Sequence, residues 1–230
     1  MNNFSKFATF AMLAAMAVSA QAQIDQITGQ TTGPNGFASQ DFEAAFNQYD
    51  IAALDDFSIA GPRIVTMLEA DTIGWNGFAN YANIRNYRVE IYTSIAAAAA
   101  NLNGTYRQVV ARGLATDPGA ASQGRVSVPV NIVIPNAGTY WVALMAEVDF
   151  GTSGQFGIMQ STGGTPGGAN AWQANPGGGF GQGTSFQIML GGAPQNLAYR
   201  MTSQPVPEPA TMAALGLGAA ALIRRRRRSK

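Results

Sequence analysis

The chain has 230 residues, of which 47% are hydrophobic, and its 14 basic and 13 acidic residues give a formal net charge of +1. It contains neither cysteine nor histidine. These absences exclude disulfides, Cys-His and Ser-His-Asp catalysis and the commonest metal ligand, so an apolar core must hold the protein together.

The first 22 residues are typical of a secretory signal peptide. Lys6 is followed by an uncharged, mainly apolar stretch at 7–18, and Ala20-Gln21-Ala22 has the small-x-small pattern that signal peptidase cleaves. We predict a signal helix over 1–22, cleavage after Ala22 and a mature chain that begins at Gln23. The alternative is a buried N-terminal helix, which leaves the cleavage pattern unexplained.

Two segments of the body give little structural pattern. Residues 23–50 are polar and small, and glycines and a proline interrupt them, so we predict an irregular lead-in with one helical turn near 42–49. Residues 96–100 are five alanines, which favour a helix by propensity. Five residues are too few to nucleate a helix, so we predict a loop there.

From residue 51 the pattern is typical of β-strands separated by turns. Strands are predicted at 57–60, 63–69, 86–94, 106–111, 125–134, 139–148, 155–160, 184–190 and 196–202. The segment 125–134 alternates most regularly, but Pro129 cannot donate to a neighbouring strand, so we predict an edge strand or a bulge there. The segment 139–148 is strongly apolar, which indicates a central strand.

Many short strands with few helices predict an all-β domain over 51–203, built as an antiparallel β-sandwich. We favour a jelly-roll-like arrangement. An immunoglobulin-like sandwich is the alternative, and the sequence does not decide between them.

Residues 204–230 form a linker and a tail with three parts. Val206, Pro207, Glu208 and Pro209 come first, an uncharged apolar run follows at 210–223, and the basic run 224–230 contains Arg224, Arg225, Arg226, Arg227 and Arg228. As a short apolar helix the middle part would span about 21 Å, less than the roughly 30 Å of a bilayer core. The arginines resist translocation, so we predict a transient stop at the inner membrane.

The order and spacing of these parts resembles the PEP-CTERM sorting signal. The resemblance covers residues 204–230 and implies a Gram-negative-type bacterium, a membrane-bound exosortase-type enzyme that removes the apolar and basic parts, and a destination at the cell surface or outside the cell. Within the body, four short segments resemble landmarks of a β-sandwich ectodomain found in exported bacterial proteins with sorting tails. These segments are 55–57, 138–142, 175–181 and 196–200.

Processing would change the charge of the protein. Loss of Lys6 and of the basic tail leaves seven arginines against 13 acidic residues, a net charge of −6. An acidic body argues against nucleic-acid binding, which needs a basic face.

Four carboxylates are candidate calcium ligands. Asp55 and Asp56 precede the predicted strand 57–60. Glu69 and Asp71 lie at the end of the next predicted strand, 63–69, and just beyond it. If the two segments pair, the four oxygen-bearing side chains could meet at one end of the sandwich. The alternative is a turn cap and surface charges. A catalytic glycosidase pair is disfavoured, because adjacent strand residues point to opposite faces.

Two tryptophans are candidate ligand platforms. Trp75 and Trp172 lie in segments rich in glycine and asparagine, where loops and exposed rings are expected. An aromatic ring can stack on a sugar, although a loop tryptophan more often covers the core.

The sequence therefore predicts an exported, non-enzymatic protein at the cell surface or in the extracellular matrix, with no catalytic residues and no cofactor other than calcium. Its predicted role is structural or adhesive within an exopolysaccharide layer, which follows from the resemblance of the tail. The alternative is a carbohydrate-binding module that uses Trp75 and Trp172, and the third candidate is a polysaccharide-acting hydrolase. Signal peptidase, an exosortase-type enzyme, the membrane and exopolysaccharide are the expected partners.

Overall fold

The apolar alternation of the sequence folds into two β-sheets packed face to face. The structure is a computed structural model that describes residues 24–27, 31–163 and 168–206. The predicted signal peptide at 1–22, with Ala20 and Ala22, lies outside the described residues. So does the tail from Pro207 onward, which contains the predicted apolar and basic segments.

The strands are named here in chain order. They are β1 (Ile24–Ile27), β2 (Thr31–Ala38), β3 (Gln40–Asp41), β4 (Ala52–Ile59), β5 (Arg63–Trp75), β6 (Asn86–Tyr92), β7 (Tyr106–Ala111), β8 (Gln123–Ile134), β9 (Gly138–Glu147), β10 (Gln155–Gly163), β11 (Trp172–Ala174), β12 (Ser185–Gln187), β13 (Met189–Leu190), β14 (Ala193–Pro194), β15 (Asn196–Leu197) and β16 (Tyr199–Pro205).

Helical segments are short. The α-helices are α1 (Ile95–Ala100) and α2 (Phe150–Ser153), and 3-10 turns occur at Ala44–Tyr49 and Arg112–Leu114. In the ranges that the structure describes, no helix is both long and apolar enough to cross a membrane.

The first sheet is organised around β5. Strand β8 runs antiparallel to β5 over nearly its whole length, and β5 also pairs with β16 and β10. Strand β10 pairs in turn with β2 and β15, while β16 pairs with β1. The second sheet has the order β12-β11-β4-β9-β6-β7, with β3 parallel to β9.

The main apolar core lies between the two sheets. Phe57 and Leu144 from the second sheet and Leu68, Val128 and Phe156 from the first are fully buried in it. This arrangement confirms the predicted all-β antiparallel sandwich. The two sheets belong to one unit, Ile24–Ser203.

Several local predictions are confirmed by the strands. The segment 139–148 is central, since β9 pairs with both β4 and β6. The register of β8 against β5 shifts between Ile132 and Pro129, so the proline sits at a bulge as its missing N–H requires. The predicted helical turn near 42–49 is the 3-10 turn Ala44–Tyr49.

The prediction of an irregular lead-in at 23–50 is wrong, because β1, β2 and β3 belong to the sheets and the unit begins at Ile24 rather than at residue 51. Strand β2 (TTGPNGFA) has no apolar alternation and joins β10 through its backbone. A Cβ on Gly36 would come within 2.2 Å of the Ile73 side chain, so glycine is needed for the close approach of β2.

The predicted loop at 96–100 is also wrong, since Ile95–Ala100 forms helix α1. The Ser94 hydroxyl accepts a hydrogen bond from the Ala97 N–H at 3.1 Å and caps the helix. Ala98 is buried in a second apolar cluster with Leu54 and Met145 on the outer face of the second sheet. Packing against the sheet, rather than propensity, stabilises so short a helix.

Candidate functional site

Asp55 lies on the inner face of the second sheet and is fully buried. The Leu197 N–H donates to its Oδ2 at 2.7 Å, and the Asp56 N–H donates to its Oδ1 at 3.0 Å. Burial raises the pKa of Asp55 to about 8, and these two hydrogen bonds only partly oppose the rise. The carboxyl therefore connects β4 to β15 across the sandwich.

Asp56 is also buried but lies on the opposite face of β4, as the strand period requires. Its Oδ1 accepts a hydrogen bond from the Ala169 N–H at 3.2 Å. The residue therefore fastens the chain at 168–171 to the outer side of the second sheet.

Glu69 and Asp71 lie within β5, on the first sheet. Glu69 accepts a hydrogen bond from the Ser127 hydroxyl at 2.8 Å. Asp71 accepts from Arg125 Nε at 2.9 Å, from Arg200 at 3.2 Å and from the Thr32 hydroxyl. Burial alone would raise the pKa of Asp71, but these hydrogen bonds and the two arginine charges hold it below its ordinary value.

The structure does not bring the four predicted calcium ligands together. Asp55 faces the core, Asp56 faces the outer side of the second sheet, and Glu69 and Asp71 belong to the other sheet. Over the described ranges, no three acidic side chains lie close enough to hold a metal ion. The four carboxylates instead satisfy backbone N–H groups, hydroxyls and arginines, as buried polar groups must.

The expectation that Trp75 and Trp172 lie in loops is wrong, because both are strand residues and both are half-buried. Trp75 ends β5 and packs against the cluster of Ala38, Phe42 and Ile51. Trp172 begins β11 between Leu54 and Gln187 of the neighbouring strands. The short length of β11, three residues, hides it from a periodicity argument.

The structure shows a pocket that the sequence did not reveal. It has a volume of about 340 Å³ and is lined by Phe42, Phe46, Tyr49, Asn76, Phe150, Gln155 and Phe180. We call it the aromatic pocket. The rings are close neighbours, with centroids 6.0 Å apart for Phe46 and Phe150 and 5.4 Å apart for Tyr49 and Phe180, the latter pair edge to face.

The loop after β11 positions one wall of the pocket. The Asn175 amide donates to the carbonyls of Gln48 and Asp50, each at 2.8 Å, which clamps this loop to the 3-10 turn Ala44–Tyr49. A Cβ on Gly177 or Gly179 would come within 2.6 Å of the Gln48 backbone. Glycine is therefore required there.

Helix α2 positions Phe150, another lining residue, beside Phe42 and Phe46. The Glu43 carboxylate accepts hydrogen bonds from the N–H groups of Phe150, at 2.7 Å, and Gly151, at 3.1 Å. These are the first two N–H groups of the helix, which have no partner inside it. Glu43 therefore ties Phe150 to the chain segment that also carries Phe42 and Phe46.

Two carboxamides complete the lining of the pocket. Asn76 has a φ of 54° and is followed by Gly77 at 101°, and the Phe78 N–H returns to the Trp75 carbonyl at 3.1 Å. Such a turn suits Asn-Gly and places the Asn76 amide beside β10. There it donates to Gln155 Oε1 at 2.9 Å. The lining thus combines five aromatic rings with two neutral polar groups and contains no charged residue.

The signal for this pocket in the sequence was the repeated pairing of aromatic residues with glycine and asparagine. Phe42, Phe46 and Tyr49 recur at helical spacing, and Phe180 lies between glycines in the segment Asn175–Gly181. Neither feature identifies the other as its neighbour, because the contact joins residues more than a hundred positions apart.

Comparison with known proteins assigns the end of the chain. Residues 205–228 match the family model described as the PEP-CTERM protein-sorting motif. The match begins at Pro205, the last residue of β16, and includes Val206, Pro207, Glu208, Pro209 and the five arginines Arg224–Arg228. No curated protein matches the chain.

The motif marks an exported protein of Gram-negative-type bacteria. Such a protein is sorted by an exosortase-type enzyme and is associated with the membrane transiently.

Proposed function

We propose that this PEP-CTERM protein with a β-sandwich domain is a non-catalytic component of the extracellular polysaccharide layer, in which the sandwich has a structural and adhesive role. The observation that carries the proposal is the sorting motif at 205–228, which is typical of exported proteins. The motif supports a destination at the cell surface or in the matrix.

The use of the acidic residues supports a non-catalytic role. Every acidic side chain within 31–163 and 168–206 accepts a hydrogen bond from another group of the chain. Glu90, for example, is buried and accepts from Arg88 and from the Gly104 N–H. A hydrolase would need two carboxylates facing a substrate, and these groups stabilise the fold instead.

The carbohydrate-binding role is the second candidate, and the aromatic pocket favours it. Half-buried rings such as Phe46 and Phe150 leave apolar surface accessible to a ligand. Trp75 and Trp172 are weaker platforms than expected, because neighbouring strands and apolar clusters cover much of both rings. A structural component that also binds glycan would combine the two candidate functions.

Cell fractionation tests the main proposal. Cells that produce the full chain are separated into membrane, periplasm, extracellular polysaccharide and medium, and the polysaccharide fraction is then digested with glycosidases. We expect the protein in the polysaccharide fraction and its release on digestion. A protein that stays in the washed membrane fraction, or that is released before digestion, would contradict the proposal.

A further inference from the structure

We propose that the aromatic pocket binds a neutral pyranose unit of a saccharide. The inference deepens the function proposed above and rests on it for the source of the sugar. The site differs from the two tryptophan positions considered from the sequence, since neither Trp75 nor Trp172 lines it.

The size of the pocket suits a small ligand. Its volume of about 340 Å³ falls at the lower end of the roughly 300 to 1,000 Å³ that is typical of small-molecule sites. A group of aromatic residues that served only to close the end of the sandwich would pack until little space remained, as protein interiors do. Here the rings line a half-open depression whose volume of about 340 Å³ is large enough for a sugar ring.

The walls of the pocket are held apart by fixed supports. Asn175 clamps the loop that carries Phe180 to the turn that carries Tyr49. Glu43 fixes Phe150 from the other side through two backbone hydrogen bonds. Because backbone-anchored groups position both walls, the space between them exists before a ligand arrives, which lowers the entropic cost of binding.

The chemistry of the lining selects the ligand class. The face of an aromatic ring carries partial negative charge and attracts the weakly positive C–H groups of a pyranose. The amides of Asn76 and Gln155 supply both donors and acceptors for hydroxyl groups at the edge of such a ring. A purely apolar ligand could make no hydrogen bond to either amide.

The charge of the lining argues for a neutral sugar. Glu43 and Asp50 are the acidic residues on the segment that forms the pocket, and both carboxylates accept backbone hydrogen bonds. No lining residue is cationic, so a uronate or a sulfated sugar would gain no ion pair on entering and would lose hydration.

Titration calorimetry on the exported protein, purified from its host, tests the assignment. The probes are glucose, galactose, mannose and their neutral oligosaccharides, with oligogalacturonate as the charged comparison and cyclohexanol as a largely apolar ring that carries a single hydroxyl. We expect saturable binding of at least one neutral saccharide and none of the two comparison compounds.

Three variants locate the binding. Phe180→Ala removes a wall, and Gln155→Leu removes a hydroxyl partner but keeps the apolar volume. Each should weaken saccharide binding at least about tenfold, which is about 1.4 kcal/mol. Tyr106→Ala is the matched control, because Tyr106 is a half-buried aromatic that packs on Tyr140 at 6.1 Å, outside the lining of the pocket. It should leave the dissociation constant unchanged.

The outcomes separate this inference from the proposed function. If the wild type binds extracted polysaccharide and the two pocket variants bind it equally well, the pocket assignment is wrong while the proposed function stands. If a neutral sugar binds in the pocket but the protein is absent from the polysaccharide layer, the pocket assignment stands and the proposed function is wrong. Binding of cyclohexanol with no effect of Gln155→Leu on any ligand would overturn the sugar assignment, as would no binding of any neutral saccharide. Gln155→Leu decides the matter if Phe180→Ala does not fold.

Discussion

Asp55 and Asp71 show how differently one residue type is used in the two sheets. Asp55 is buried with only backbone N–H donors around its oxygens, whereas Asp71 lies beside Arg125 and Arg200. Burial raises the pKa of both carboxyls, but at Asp71 the hydrogen bonds from Arg125 and Thr32 and the two arginine charges together outweigh it. The two carboxyls should therefore make stability depend on pH in opposite directions.

Replacement of Asp55 by asparagine should flatten the pH dependence of stability above pH 6. The folded protein holds the Asp55 proton up to about pH 8, whereas the unfolded chain releases it near 3.8. Stability from this group is complete below the unfolded pKa and is lost as the pH rises through the folded pKa. Between pH 6 and 8, the free energy of unfolding of the wild type should fall by up to about 1.4 kcal/mol per pH unit.

Denaturant unfolding from pH 5 to 9 measures this slope. Asp50, whose pKa burial raises to about 6, and Glu90, whose pKa burial also raises, add slopes of the same sign, so the difference in slope between the wild type and Asp55→Asn from pH 6 to 8 reports Asp55. Asp149→Asn is the control, because its ion pair with Arg85 is solvent-exposed. Equal slopes for the wild type and Asp55→Asn would contradict the assigned burial.

Replacement of Asp71 by asparagine should destabilise the protein at neutral pH but not in acid. The pKa of Asp71 is lowered, so its contribution is present above the unfolded pKa and disappears as the pH falls through the folded value. The Arg125 side chain is about half exposed, which limits the loss to about 1 kcal/mol. Thermal unfolding at pH 7 and at pH 2 checks this, and a loss of the same size at both values would show that packing rather than charge is responsible.

At the scale of elements, the segment Asn175–Gly181 fixes one wall of the aromatic pocket. Its amide and its glycines contact the turn Ala44–Tyr49, and these contacts carry Phe180 to within 5.4 Å of Tyr49. The asparagine and glycines of this segment are therefore explained by its close approach to the backbone of a turn distant in sequence, rather than by local turn formation alone.

Gly179→Ala should destabilise the contact between the segment Asn175–Gly181 and the turn Ala44–Tyr49. A Cβ at that position would lie 2.6 Å from the Gln48 carbonyl oxygen and 2.7 Å from the Tyr49 ring, so one of the elements must shift. We expect a loss of about 1 to 3 kcal/mol, typical of overpacking, and a changed near-ultraviolet circular dichroism signal.

Gly61→Ala is the matched control for this change. A Cβ there would meet nothing within 4 Å, so the substitution should change the free energy of unfolding by less than about 0.5 kcal/mol. If both glycine variants unfold at the wild-type temperature, the close approach at Gly179 is not a feature of the molecule.

The elements that could be predicted from sequence are those whose own pattern determines them. Strand β8 alternates apolar residues along its length, and Pro129 marks its bulge. Strand β2 and helix α1 could not be predicted, because backbone pairing stabilises the first and burial of Ala98 on a sheet stabilises the second. The pocket was missed for the same reason, since its rings come from segments distant in sequence.

At the scale of the whole molecule, the two ends of the body belong to one strand pair. Ile24, one residue beyond the predicted mature N-terminus, lies opposite Ser203 of β16. The sorting motif begins at the last residue of that same strand. The sequence predicted the sorting motif in full, since its three parts are local, but its pattern did not indicate that Ile24–Ile27 form a strand.

Replacing Arg224–Arg228 with serine should abolish sorting without affecting the sandwich. A block of arginines resists translocation, so we expect these five to hold the tail at the membrane and their loss to release the chain with its tail uncut. Intact mass of the exported protein shows whether the tail remains. Arg63→Ser, a single arginine of the body, is the control and should be processed normally.

The most direct test of the account is a titration of the exported protein with polysaccharide extracted from its own host, in calcium and in chelator. We predict saturable binding that is equal in the two conditions, because Asp55, Asp56, Glu69 and Asp71 do not meet and the aromatic pocket is uncharged. Absence of binding in both conditions would contradict the adhesive role. Binding that appears only with calcium would contradict the assignment of the binding site to the aromatic pocket.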